Sequence, residues 1–251
     1  MKQLATIGLL LTLAACQPAA TPKAADDTLA KSFAEANAAA APQAAATSAR
    51  ATGMEVLGTQ GTTGVVLRSA IWASRSIPVC WESTPASEAS ARAWVQDAVT
   101  TSWQANSLVR FTGWGQCTAG ARGIRILVAD EGAKTLDLGN RIDGLRGGMR
   151  LNFTMQRWNQ SCVRQSGLEA CVRMVAMHEF GHALGFAHEQ NRPDTPDEDC
   201  AARRQGPDGD LPLTPWDPDS IMNYCSRVYS NGGLLSDRDI ASVQQVYGAE
   251  S

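Results

Sequence analysis

The chain has 251 residues, of which 44% are hydrophobic and 19% charged, with a formal net charge of -3. That is apolar material enough for one sizeable buried core. The mildly acidic balance excludes the basic footprint of a nucleic-acid binder, so no nucleic-acid partner is expected.

The first elements form an address rather than a fold. Lys2 precedes an apolar run over residues 4–15 that ends in small side chains, which reads as a signal peptide over 1–15. The run is too short to span a bilayer as a stable helix. Its end, Leu13-Ala14-Ala15-Cys16, resembles the bacterial lipobox, whose cysteine is acylated. A lipid on Cys16 is therefore expected to anchor the chain to a membrane. Gln17 in place of an aspartate favours the outer membrane of a Gram-negative cell, by the same resemblance. Residues 16–70, rich in Ala, Pro, Thr and Gln, bury too little to offset their ordering entropy and read as a tether or pro-segment.

From about residue 71 the texture becomes that of a folded domain, 71–251. Residues 77–81 read as a strand. Residues 87–106 carry Ala91, Trp94, Val95, Ala98, Val99 and Trp103 at helical spacing. Strands follow at 109–111, 124–128 and 149–153, then a helix over 168–184. The last helix spans 236–247, with Ser236 at its N-cap, Asp239 three residues on and Gly248 beyond its end. Strands, an internal helix, a long loop and a closing helix make an α+β domain.

Seven cysteines are present, and setting Cys16 aside leaves Cys80, Cys117, Cys162, Cys171, Cys200 and Cys225. In an exported protein an even set suggests three disulfides. Spacing alone cannot choose their connectivity; sequential pairing, Cys80–Cys117, Cys162–Cys171 and Cys200–Cys225, is the expectation.

The chain has only three histidines, and all fall in His178-Glu179-Phe180-Gly181-His182-Ala183-Leu184-Gly185-Phe186-Ala187-His188-Glu189. Histidines four apart on a helix share one face, with Cβ atoms about 5–6 Å apart. Both can reach one zinc ion, while Glu179 flanks the same face without ligating. A catalytic zinc needs a third protein ligand and one open position. His188 can supply that ligand if the chain reverses at Gly185, where glycine takes a left-handed conformation at low cost. Gly181 reads equally as a weak spot in the helix or as a site of close packing. Carboxylates in the segment 194–219 suit a calcium ion, but their spacing matches no calcium loop, and a solvated acidic loop is the plainer reading.

This stretch resembles the metzincin signature, and within it the astacin family, whose continuation is similar to His188-Glu189-Gln190-Asn191-Arg192-Pro193-Asp194. Trp216-Asp217-Pro218-Asp219-Ser220-Ile221-Met222-Asn223-Tyr224 resembles that family's Met-turn. The resemblance implies a metzincin fold, a mixed twisted sheet with an active-site helix and a closing helix, and zinc in the cleft between two subdomains. It implies a zinc-dependent endopeptidase, expected as a monomer, acting on a protein or peptide substrate. Glu179 is then the general base, Met222 the floor under the metal and Tyr224 a fifth ligand or hydrogen-bond donor to the oxyanion. Residues 147–153 resemble the edge strand that pairs with substrate, through Gly148, Met149, Arg150, Leu151 and Asn152. Two features depart from the family. Thr195-Pro196 replaces the usual Arg-Asp, and no pro-segment switch motif stands in residues 17–70. An acylated Cys16 has no free ammonium to meet Glu189, so Glu189 reads as structural. The competing readings are a catalytically silent peptide-binding module and a zinc hydrolase of envelope material.

Overall fold

The computed structural model describes residues 65–249; the expected signal peptide, Cys16 and most of the tether lie outside the described residues. No helix among the described residues is long and apolar enough to cross a membrane.

Five strands form the main sheet: β2 (Ser76–Trp81), β3 (Arg110–Gln116), β4 (Ile124–Val128), β5 (Lys134–Thr135) and β6 (Met149–Leu151). Their spatial order is β3-β2-β4-β6-β5, with β5 antiparallel to β6 and every other pair parallel. A second, two-stranded sheet pairs β1 (Val65–Val66) antiparallel with β7 (Leu211–Pro212). The helices are α1 (Ala89–Val99), α2 (Gln160–Ser166), α3 (Leu168–Ala183), α4 (Glu198–Ala201) and α5 (Asp237–Tyr247). The architecture is α+β.

α1 keeps its apolar stripe, Ala91, Val95, Ala98 and Val99, on the core, then loosens into a π-helical turn over Thr100–Gln104. Thr101 Oγ1 and Ser102 Oγ donate back to the carbonyls of Asp97 and Ala98, and such back-bonding bends a helix. The bend delivers Trp103 inward, where its indole N–H donates to Met177 O at 2.8 Å and its ring stacks on Phe186. α3 is buried on all sides along most of its length and packs against α1, α2, β5 and β6. A helix enclosed in this way belongs to the core rather than the surface.

Two expectations are corrected here. The strand over residues 149–151, with Gly148 and Asn152 at its ends, is not the sheet edge. It pairs with β4 on one side and with β5 on the other, Thr135 opposite Met149 and Lys134 opposite Arg150. The edge is β5, a strand of two residues that offers no run of alternating side chains to read. The packed domain also begins before residue 71. Val66 is fully buried, and residues 65–70 are held by β7 and by the turn after α3. Two valines after a glycine-rich stretch look like linker until a partner strand is known.

Candidate metal centre

Each imidazole reaches the centre by a different route. His178 and His182 lie one turn apart on α3, both buried. α3 then ends in a Schellman motif. Gly185, at φ 99°, donates its N–H to His182 O, and Phe186 N–H returns to Gly181 O. The reversal carries His188 back toward the helix. Three distant donors hold the end of α3 and its turn: the Trp72 indole on Ala183 O, the Tyr247 phenol on Leu184 O and Leu67 N–H on Gly185 O. They satisfy carbonyls that a helix end otherwise leaves open.

The three side chains meet. His188 Nε2 is 3.2 Å from His178 Nε2 and 3.1 Å from His182 Nε2, and among the described residues this is the one His/Cys/Asp/Glu grouping suited to a metal ion. The calcium expectation finds no such grouping in segment 194–219. There Asp197 caps α4, Asp208 pairs with Arg204, and Asp210 accepts from Arg68 N–H.

Each Nδ1 faces a backbone carbonyl: Ile221 O for His178, Phe186 O for His182 and Gln205 O for His188, at 2.8–2.9 Å. A carbonyl only accepts, so each Nδ1 carries the proton and each Nε2 presents a lone pair. Burial holds all three rings below their ordinary pKa, His182 down to about 4, so they are neutral at pH 7. The lone pair of His188 lies this close to each of the other two, and the three ligand atoms all lie within 4.8 Å of one another, so they repel unless a cation lies between them. Tetrahedral zinc with bonds of 2.0–2.1 Å would set its ligand atoms about 3.3–3.4 Å apart. The donor set therefore fits zinc.

Glu179 is fully buried beside this centre, and burial pushes its carboxyl up to about 8. Thr135 Oγ1 donates to its Oε2 at 2.9 Å. Met222 lies beneath α3 at Gly181, where a Cβ would collide with Met222 Sδ and come within 3.2 Å of Trp103 Cζ2. Of the two readings of Gly181, close packing is the one the structure supports. Tyr224 is buried, its ring 5.1 Å from that of His178 and 4.4 Å from that of His188. Glu189 has a structural setting: its carboxylate accepts Asp217 N–H at 2.8 Å and lies 3.2 Å from the buried Arg192.

Some contacts that build the centre carry no signal in sequence. The carbonyl of Gln205 orients His188, yet a carbonyl belongs to every residue. Asp239 completes the Ser236 capping box and also accepts Ile221 N–H at 2.9 Å, tying α5 to the turn that orients His178. Its carboxyl is raised to about 6 by burial. The three disulfides are Cys80–Cys117, Cys162–Cys171 and Cys200–Cys225. The last joins α4 to the residue after Tyr224.

Comparison with known proteins points the same way. Residues 159–199 match the model of the astacin peptidase family. The chain is 39% identical over 74 residues to the zinc metalloproteinase dpy-31 of Haemonchus contortus, and likewise to that of Caenorhabditis elegans. These matches take in 24% of this chain and only 14% and 12% of those longer proteins. The structure of myroilysin superposes with a TM-score of 0.54 at 20% identity, covering 75% of this chain and 100% of that one. The domain thus shares its fold with myroilysin, and the stretch that builds the metal centre is similar to the astacin peptidases.

Proposed function

We propose that this protein is a zinc-dependent metalloendopeptidase that hydrolyses peptide bonds in proteins or peptides. The observation that carries the reading is the convergence of three neutral, tautomer-fixed imidazoles beside a buried carboxylate. His178, His182 and His188 would hold zinc through their Nε2 atoms. When bound, zinc supplies Lewis acidity at the scissile carbonyl and lowers the pKa of water toward 7.

The remaining work falls to this chain's own groups. A cation held by the adjacent imidazoles would favour the ionised form of Glu179 against the effect of burial. As the carboxylate it accepts the proton of the attacking water and returns it to the leaving nitrogen. Tyr224, packed against two of the ligands, donates its phenol O–H to the developing oxyanion. The outer side of β5 pairs with no other strand among the described residues, and an extended substrate would add there as a further strand. Met222 and Trp103 close the underside of α3 with apolar surface and keep water from the ligands. The proposal extends to place: the apolar run over 4–15 and the Leu-Ala-Ala-Cys sequence support a lipid on Cys16 and an outer-membrane anchor.

Zinc content and cleavage of an unfolded protein, measured on wild type and on Glu179→Gln, test this. One equivalent of zinc is expected in both, with turnover in wild type and at least about a hundredfold less in the variant. Peptide binding without turnover in zinc-loaded wild type would instead make it a silent binding module. Cleavage confined to peptidoglycan would make it an envelope hydrolase.

A further inference from the structure

Glu179 is 1% exposed, so bulk water cannot orient its carboxylate. The hydroxyl of Thr135 reaches it, 2.9 Å from Oε2 and 3.0 Å from the backbone oxygen of the same glutamate. A hydroxyl has one hydrogen, and the carboxylate is the stronger of the two acceptors. Thr135 lies far from Glu179 in sequence and stands on a different element.

That element is β5, the edge strand. Its backbone is fixed by pairing to β6, Thr135 opposite Met149, and by Leu136 N–H on Gly148 O at 2.8 Å. A β-branched side chain has few χ1 options, so the backbone of β5 sets the direction of the Thr135 hydroxyl. The other edge of β5 pairs with no strand among the described residues. A peptide adding there would take its register from the backbone of Lys134–Thr135. One residue would then fix both the line along which the scissile bond arrives and the carboxylate that acts on it.

We infer that Thr135 is the positioning residue for Glu179: its hydroxyl holds one carboxylate oxygen and aims the other at the substrate laid along the same strand. Thr135 is assigned no place among the reacting atoms or the metal ligands. It acts through Glu179, and the inference rests on the endopeptidase reading. Displacement of a catalytic group by about 1 Å can cost on the order of a hundredfold in rate.

The test compares wild type, Thr135→Val, Thr135→Ser and Glu179→Gln as zinc-loaded enzymes, reading kcat, KM and zinc content on one peptide. Valine keeps the shape and the branch but removes the donor; serine keeps the donor. Thr135→Val is expected to lose at least about tenfold in kcat, with KM within about twofold and zinc content unchanged, and Thr135→Ser to recover most of the loss. Wild-type kcat in Thr135→Val overturns the inference. So does a loss confined to KM, a loss of zinc, or an equal loss in the serine variant, because each removes the hydroxyl as the agent. If wild type itself shows no turnover, or Glu179→Gln matches it, the endopeptidase reading fails first and is seen to fail separately.

Discussion

Gly181 sits within α3, where glycine ordinarily costs about 1 kcal/mol relative to alanine. Were it only a weak spot, Gly181→Ala would stabilise the protein by about that amount. The space is already taken, however. A Cβ there would meet Met222 Sδ and Trp103 Cζ2, and both neighbours are buried and pinned. Trp103 is held by its hydrogen bond to Met177 O, and the turn bearing Met222 by Asp239 on Ile221 N–H. Overpacking of this kind costs about 1–3 kcal/mol, which outweighs the propensity gain. Gly181→Ala is therefore expected to destabilise, and denaturant unfolding reads the sign directly. A more stable variant would mean that Met222 does not press on the helix as described. Sequence alone leaves this residue undecided because its neighbour comes from a turn far downstream, whereas His178, His182 and His188 declare themselves through spacing and rarity.

At the scale of elements, the legible pieces are those with a period. α1, α3 and α5 show helical spacing or a capping box, and β2 and β4 are apolar runs of strand length. β1, β5 and β7 have two residues each and show nothing a pattern could catch, yet all three bear on the site. β5 carries Thr135. β1 braces the reversal that delivers His188, for Val65 O accepts Ala187 N–H and Leu67 N–H donates to Gly185 O, both at 2.9 Å. The strand over 149–151 reads as the edge in sequence because the true edge is too short to be seen. The brace is testable at Leu67, whose φ of -86° is close to what proline adopts. Leu67→Pro removes the donor to Gly185 O while largely keeping the chain path. Stability should fall by about 1 kcal/mol and zinc affinity by several-fold. Leu67→Ala, which keeps the N–H, serves as the control in a zinc titration. Equal affinity in the two variants would show that the turn holds itself without β1.

At the scale of the whole molecule, the disulfides and the proposed zinc would divide the stabilisation between them. Cys80–Cys117 fastens β2 to the end of β3, on the side of the sheet away from β5. Cys200–Cys225 fastens α4 to the residue following Tyr224, and the chain from α4 leads directly to Gln205, whose carbonyl holds His188. The two bridges close loops of 37 and 25 residues, and each is worth about 3–4 kcal/mol by chain entropy. On stability alone their removal should therefore look alike. Zinc separates them, because a ligand that binds only the folded state raises stability by RT ln(1 + [zinc]/Kd). With Cys80 and Cys117 both replaced by serine, the melting temperature should drop while the increment gained on adding zinc stays that of wild type. With Cys200 and Cys225 replaced, the increment itself should shrink, by about 1.4 kcal/mol for each tenfold loss of affinity. The loop is then free to carry Gln205 off His188, and the third imidazole loses the partner that fixes its tautomer. Thermal unfolding of both variants, with zinc and with a chelator, measures the two increments side by side. Equal increments would mean that His188 is set by the Gly185 reversal alone, and that segment 194–219 stabilises the fold without shaping the metal centre.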